Sequence, residues 1–389
     1  MSNRFRDLLR KVGSGHHTSE HLTREESAEA ARMMLTQEAT PAQIGAFMIS
    51  HRIKRPTGEE LAGMLDAYQE LGPALTPITA DYPTLVMNSP YDGRSRTSPL
   101  SPITALILAT KQCPVILHGG ERMPTKYGLP LIDIWKAMGV DWAQASLEDV
   151  QHVFEKTLLG FVYLPRHFPL AQGLVPYRDQ LGKRPPQATL ELMWCPYQGE
   201  ALMICGFVHP PTEKMIRTAV SLHRPQPFLA VKGLEGSCDL PRDRTCIIGL
   251  GTQATSRQAL DRPQSATSQS EQTRSQQPES GNSLDDHHLF LHPRDYGFGG
   301  KDVPFDSDAQ VFRDIHAVLQ GEASDLMTSA IWNGGFYLWQ SGVCSTLETG
   351  LSEAENVLVS GAGLKTLQSL QTALSDVKET RTSTFIGAS

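Results

Sequence analysis

The chain has 389 residues, a formal net charge of −7, and 40% hydrophobic and 20% charged residues. That balance excludes a wholly disordered chain and a surface that is basic throughout, and it allows a sizeable core in one or two domains. No apolar run approaches the roughly 18 residues that span a bilayer, and the stretch from Met1 to Lys11 is charged with no apolar signal core, so the expectation is a cytoplasmic protein without a membrane partner. The six cysteines include no Cys-x-x-Cys pair and mostly sit in apolar runs, where they read as buried thiols.

The first seventy residues read as successive helices. Thr23 to Glu26, Thr40 to Gln43 and Thr57 to Glu60 are capping-box patterns, with Pro41 at the first helical position of the second. Apolar residues follow at helical spacing: Ala28, Ala31, Met34 and Leu35; then Ile44, Phe47 and Met48; then Leu61, Leu65 and Tyr68. Helices this short bury their faces only against a partner, which predicts a bundle packed on the next domain and on a second subunit.

From Pro83 the pattern changes to short apolar runs alternating with helices, the signature of a mainly parallel sheet with crossovers. Strands are expected at 84–87, 115–117, 161–164, 201–207, 227–232, 245–249 and 289–291. Helices are expected at 102–111, 129–138, 146–158 and 212–222 between them, and at 308–319, 324–341 and 352–374 after them. The fold class is α/β: an N-terminal helical bundle domain at 1–78, joined by part of 165–185, and a doubly wound sheet domain at 79–389. Between Thr252 and Ser283, 18 of 32 residues are Ser, Thr or Gln and Leu260 is the only large apolar side chain. Such a segment cannot form a core, which predicts a disordered insertion at 252–285.

Two loops after strands carry candidate anion chemistry. In Asn88-Ser89-Pro90-Tyr91-Asp92-Gly93-Arg94-Ser95-Arg96, Pro90 and Gly93 make a turn and the arginines stand beside it. In Leu117-His118-Gly119-Gly120-Glu121-Arg122 and on to Lys126, the glycines permit close backbone approach, and His118, Arg122 and Lys126 supply charge and hydrogen bonds. Each is a phosphate cradle or an ordinary polar turn when taken alone. A third turn, Gly233-Leu234-Glu235-Gly236-Ser237-Cys238-Asp239, offers two carboxylates four residues apart, suited to Mg²⁺ through water or to plain solvation. Arg166, Arg178, Lys183 and Arg184 add further cations near strand ends, where doubly wound sheets keep their sites.

In this order these residues resemble the anthranilate phosphoribosyltransferase-type proteins of glycosyltransferase family 3, which includes the pyrimidine nucleoside phosphorylases. The likeness runs from the helical region to about Leu370 and is carried by Asp92-Gly93, His118-Gly119, Lys126-Tyr127-Gly128, Arg178, Lys232 to Asp239 and His292 to Gly297. The resemblance implies a homodimer, phosphoribosyl pyrophosphate with Mg²⁺ as donor, and displacement of pyrophosphate at the ribose anomeric carbon by an amine. It places Asn88, Asp92, Gly93 and Arg94 at the donor loop and His118, Gly119, Arg122 and Lys126 at the second substrate loop. Arg178 would face the aromatic amine, and Asp239 and Glu235 would be the metal acids.

The chain also departs from that pattern. The family's Gly-Thr-Gly-Gly-Asp-Gly reads Asn88 to Gly93 here, and Pro90 lacks the N–H that would bind phosphate. The family's Lys-His-Gly-Asn begins with Leu117, and its Asp-Glu metal pair reads Cys238-Asp239. Together these argue against transfer to anthranilate itself, and so against a place in tryptophan biosynthesis. They bring the chain closer to a divergent branch with a Tyr-Asn-Gly-Ala-Arg-type loop and a Gly-Thr-Glu-Gly-type turn, matched by Tyr91 to Arg94 and Gly233 to Gly236. The expectation is a pentosyl transferase with an altered donor loop; the alternative is a non-catalytic nucleotide or nucleic-acid binder using the same cations, Arg96, Arg242 and Arg244 included.

Overall fold

The computed structural model describes residues 3–15, 17–251 and 288–386. The chain opens on a helix that the three capping boxes do not announce, α1 (Asn3–Gly13), which buries Phe5, Leu8 and Val12. The expected helices follow as α2 (Arg24–Leu35), α3 (Pro41–Lys54) and α4 (Gly58–Leu71), and all three capping boxes are closed in both directions. In each, the threonine hydroxyl accepts from the N3 backbone and the N3 side chain accepts from the threonine N–H, satisfying two otherwise orphaned donors. Phe5 of α1 meets Phe47 of α3 with ring centroids 5.4 Å apart. Gly63 lets α4 cross α2, because a Cβ there would lie inside contact distance of the Arg24 carbonyl oxygen.

Among the described residues a seven-stranded sheet follows, with strands β1 (Thr84–Met87), β2 (Val115–Gly119), β3 (Leu159–Tyr163), β4 (Ala201–Gly206), β5 (Phe228–Val231), β6 (Cys246–Leu250) and β7 (His288–Leu291). The spatial order is β3-β2-β1-β4-β5-β6-β7. The first five are parallel, while β6 pairs antiparallel with both β5 and β7. Every residue of β1 to β5 is buried, as the continuous apolar runs require for a sheet covered on both faces. The predicted insertion at 252–285 lies outside the described residues.

The crossover helices α5 (Ser101–Thr110), α6 (Leu131–Ala137) and α7 (Leu147–Thr157) form as expected. Four short helices that the sequence pattern did not reveal then fill the stretch before β4: α8 (Leu164–His167), α9 (Pro169–Gln172), α10 (Val175–Leu181) and α11 (Gln187–Leu190). They pack against the N-terminal helices, where the Tyr177 hydroxyl donates to Gln37 Oε1 at 3.0 Å and Arg52 Nη1 donates to the Arg184 carbonyl at 2.6 Å. After β4 comes α12 (Pro210–His223), and after β7 come α13 (Asp308–Leu319) and α14 (Asp325–Gln340). The single helix expected at 352–374 is two, α15 (Leu347–Val359) and α16 (Ala362–Ile386). The break falls at Ser360–Gly361, where Gly361 takes a left-handed φ of 72° and ends the first helix.

Candidate functional site

The strand order turns back between β1 and β4, so the C-terminal ends of β2, β1, β4 and β5 surround a switch point, where open α/β sheets keep ligands. Both loops read from the sequence converge there and are zipped together. Arg94 N donates to the Leu129 carbonyl at 3.1 Å, Leu129 N returns a bond to Arg94 at 2.8 Å, and Gly128 N donates to Asp92 at 2.9 Å. Gly93, at φ 78°, is required by this approach, since a Cβ would stand 2.5 Å from the Gly128 carbonyl oxygen. Gly119 ends β2 beside them.

His118 sits at the floor, fully buried. Its Nε2 lies 2.5 Å from Asn88 Oδ1 and its Nδ1 faces the Tyr91 hydroxyl. Because Asn88 Oδ1 only accepts, the proton is on Nε2, and Nδ1 accepts from Tyr91. Burial against Tyr91 and Trp194 pushes the imidazole pKa down to about 3, so His118 is neutral at working pH. It therefore supplies hydrogen bonds but not the charge that the sequence reading gave it.

Arg94 is committed inside the protein. Its Nη1 donates to Asp239 Oδ2 at 2.5 Å and to Ser237 Oγ at 2.8 Å, its Nε donates to Glu235 at 3.3 Å, and its Nη2 bonds Thr97. Asp239 is otherwise held by the Ser101 hydroxyl at 2.7 Å and Leu100 N at 3.0 Å. Glu235 accepts Arg96 N at 3.0 Å and Thr97 N at 3.1 Å. Burial opposes its ionisation, but the Arg94 charge, the Arg96 N–H and Lys126 outweigh it and hold the carboxyl at about 2. These two acids, expected as metal ligands, are occupied by one guanidinium and a row of N–H groups. As arranged they do not fit a divalent cation, and the described residues contain no cluster of three His, Cys, Asp or Glu able to hold one.

Lys126, Arg122, Arg184 and Arg244 are drawn toward carboxylates too. Lys126 Nζ lies 3.1 Å from the Gly93 carbonyl, 3.4 Å from Glu235 and 3.7 Å from Asp92. Arg122 pairs with Asp308 at 2.6 Å and Asp133 at 3.5 Å, away from the loop centre. Arg184 stands 3.7 Å from Glu191 and 3.9 Å from Asp92, and Arg244 lies 3.0 Å from Asp243. A rim of arginines so paired is poorly suited to a nucleic-acid backbone, and that alternative is not favoured.

Two cavities meet at this place. One, a narrow cleft of about 20 Å³, lies over the strand ends among Ser89, Pro90, His118, Gly120, Ser101 and Asp239. The other, of about 30 Å³, lies between the N-terminal helices and α9 to α11, walled by Tyr68, Trp194, Arg178, Gln187 and Glu191. Tyr91 lines both. In the second cavity Arg178 is buried with Nη1 on Glu191 Oε1, while its Nε and Nη2 and the Gln187 Oε1 have no hydrogen-bond partner. Glu191 Oε2 also takes the backbone N–H of Tyr91 at 2.9 Å. Glu191, Thr97 and Ser101 were missed by sequence reasoning, and Tyr91, though inside the first loop, was given no role; a glutamate in the apolar run from Leu190 to Cys195 was the available signal for the first.

Residues 6–72 match the helical bundle domain of the glycosyl transferase family. The anthranilate phosphoribosyltransferase of Exiguobacterium sibiricum is 24% identical over 372 residues, 94% of this chain and 97% of that protein. Over nearly its whole length the chain is similar to anthranilate phosphoribosyltransferases. The corresponding protein of Azorhizobium caulinodans is 30% identical over 185 residues, and there the match spans 46% of this chain and 50% of the relative. An uncharacterized Escherichia coli protein, YbiB, is 28% identical over 213 residues, 53% of this chain and 63% of that one, which fits a divergent paralogue. Among solved structures, yeast anthranilate phosphoribosyltransferase in complex with phosphoribosyl pyrophosphate and Mg superposes with a TM-score of 0.76 at 14% identity, covering 97% of this chain and 99% of that one. At that identity the likeness speaks for the fold alone.

Proposed function

We propose that this anthranilate phosphoribosyltransferase-like chain is a pentosyl transferase that takes a phosphorylated ribose donor over the strand ends and a planar acceptor beside Arg178 and Gln187. The observation that carries this reading is the pair of narrow clefts that share Tyr91 as a common wall at the strand ends; each holds little more than a water as it stands, so both substrates would enter by parting these walls and would meet where Tyr91 now separates them. His118 would orient the Tyr91 hydroxyl, and the unpartnered Arg178 and Gln187 atoms would bind an acceptor bearing both a carbonyl and an N–H. Anthranilate is disfavoured as that acceptor, because Glu191 already occupies the guanidinium its carboxylate would need.

The yeast relative's Mg is compatible with this chain only if Asp239 or Glu235 leaves Arg94, so no step is assigned to a metal here. A homodimer and a cytoplasmic location belong to the same proposal; among the described residues no helix is long and apolar enough to cross a membrane. The test is pyrophosphate release from phosphoribosyl pyrophosphate with a panel of planar acceptors, with and without Mg²⁺. Release with an uncharged acceptor, and loss of it in Tyr91→Ala, is the expected result. No release with any acceptor, together with no thermal stabilisation by the donor, would remove the transferase reading.

A further inference from the structure

The Glu235 carboxylate lies in a concave arrangement of donors built by a different segment. Three successive backbone N–H groups, of Ser95, Arg96 and Thr97, point at it, with the hydroxyls of Ser95 and Thr97, Arg94 Nε and Lys126 Nζ. Successive N–H groups turned inward form an anion nest. The donors outnumber what the carboxylate can take: seven groups face two oxygens with about four lone-pair positions. The sharing shows in the distances, since Arg96 N and Thr97 N stand at 3.0 and 3.1 Å whereas Ser95 N, Ser95 Oγ and Lys126 Nζ are held at 3.3 to 3.4 Å. A tetrahedral oxyanion with more oxygens and more charge would use all of them.

The residue that fills the nest is itself held unusually. Glu235 has a left-handed φ of 53°, uncommon for a residue with a side chain, in the turn Leu234–Gly236. Gly233 and Gly236 bracket it, the second at φ 84°, and Gly233 is needed for a close approach, since a Cβ there would stand 1.9 Å from the Ser237 carbonyl oxygen. We infer that Glu235 is an internal stand-in for a phosphoryl group, and that an oxyanion enters the nest of Ser95 to Thr97 by displacing the Glu235 carboxylate. Its link to transfer rests on the proposed function; the nest itself rests only on these contacts.

The test uses inorganic phosphate as probe, against chloride at equal ionic strength, on the full chain. In chloride, Glu235→Ala melts below wild type. In phosphate it regains roughly 4 °C, while wild type moves by less than about 1 °C. A Glu235→Ala protein insensitive to phosphate, or a wild-type shift as large as the variant's, overturns the inference. If the alanine variant does not fold in either salt, Glu235→Gln, which keeps the size and removes the charge, is held to the same criterion. Phosphate stabilisation of the variant without pyrophosphate release by wild type would keep the nest and remove the transferase, so the two failures are distinguishable.

Discussion

Arg178 is buried beside a single carboxylate, Glu191, with two of its nitrogens unbonded. In Glu191→Gln the guanidinium loses its counter-charge, and an aromatic carboxylate becomes a better occupant of the cavity. We expect anthranilate to stabilise that variant thermally and not the wild type, at a stability cost of about 3 kcal/mol for breaking a buried pair. Glu235 makes a pH prediction. Its folded pKa of about 2 lies below the ordinary 4.5, so its contribution is complete above pH 4.5 and is lost as the pH falls through 2. Denaturant titrations of wild type and Glu235→Gln should therefore differ most above pH 5 and converge toward pH 2. His118 has the same sign for a different reason: buried neutral and depressed to about 3, it makes the unfolded chain the better proton acceptor below pH 6.5. Stability should fall with pH below 6.5, and the slope should be smaller in His118→Gln. The positions of Asp92, Arg94, His118 and Glu235 in the site were legible as residue types after strands. Their partners were not, because these come from segments as distant as Glu235 and Asp239 for Arg94 and Trp194 for His118.

At the scale of elements, local chemistry determined the helix starts and long-range approach determined what they tolerate. The reciprocal caps of Thr23, Thr40 and Thr57 were readable because a capping box is complete within four residues. The split between α15 and α16 was not, since an apolar periodicity runs through it and only the left-handed Gly361 marks the break. The short helices α8 to α11 were equally hidden, being too short to show a period, with α10 and α11 held by packing on α3 and α4. Gly63 is the position where elements meet most closely. Gly63→Ala drives a methyl group into the Arg24 carbonyl and should lower stability by about 3 kcal/mol in urea titration, although alanine raises helix propensity.

Across the whole molecule the helical bundle and the sheet share one contiguous core, from Phe5 and Phe47 through Tyr68 and Trp194 to the strands. Asp66 and Arg24, paired at 2.6 Å within the bundle, join the two parts on the surface: His223 of α12 bonds Asp66 at 2.6 Å, and Arg24 Nη1 donates to the Leu222 carbonyl of α12 at 2.8 Å. Gly58 of α4 lies so close to Thr218 of α12 that a Cβ would overlap the threonine side chain. Gly58→Val should therefore lower the melting of far-ultraviolet and tryptophan signals together, as one transition. Separate shifts would show that the two parts unfold independently. The amino-acid sequence by itself determined the class of fold, the helix caps, all seven strands and the two loops at the strand ends. These depend on periodicity and on turn residues within a few positions of one another. Only the tertiary structure decided what the loops hold, because Glu191 and Glu235, 100 or more residues from Tyr91 and Arg94 along the chain, arrive to neutralise them. Coulomb and desolvation energies depend on distance in space, and no local pattern in a sequence carries that distance.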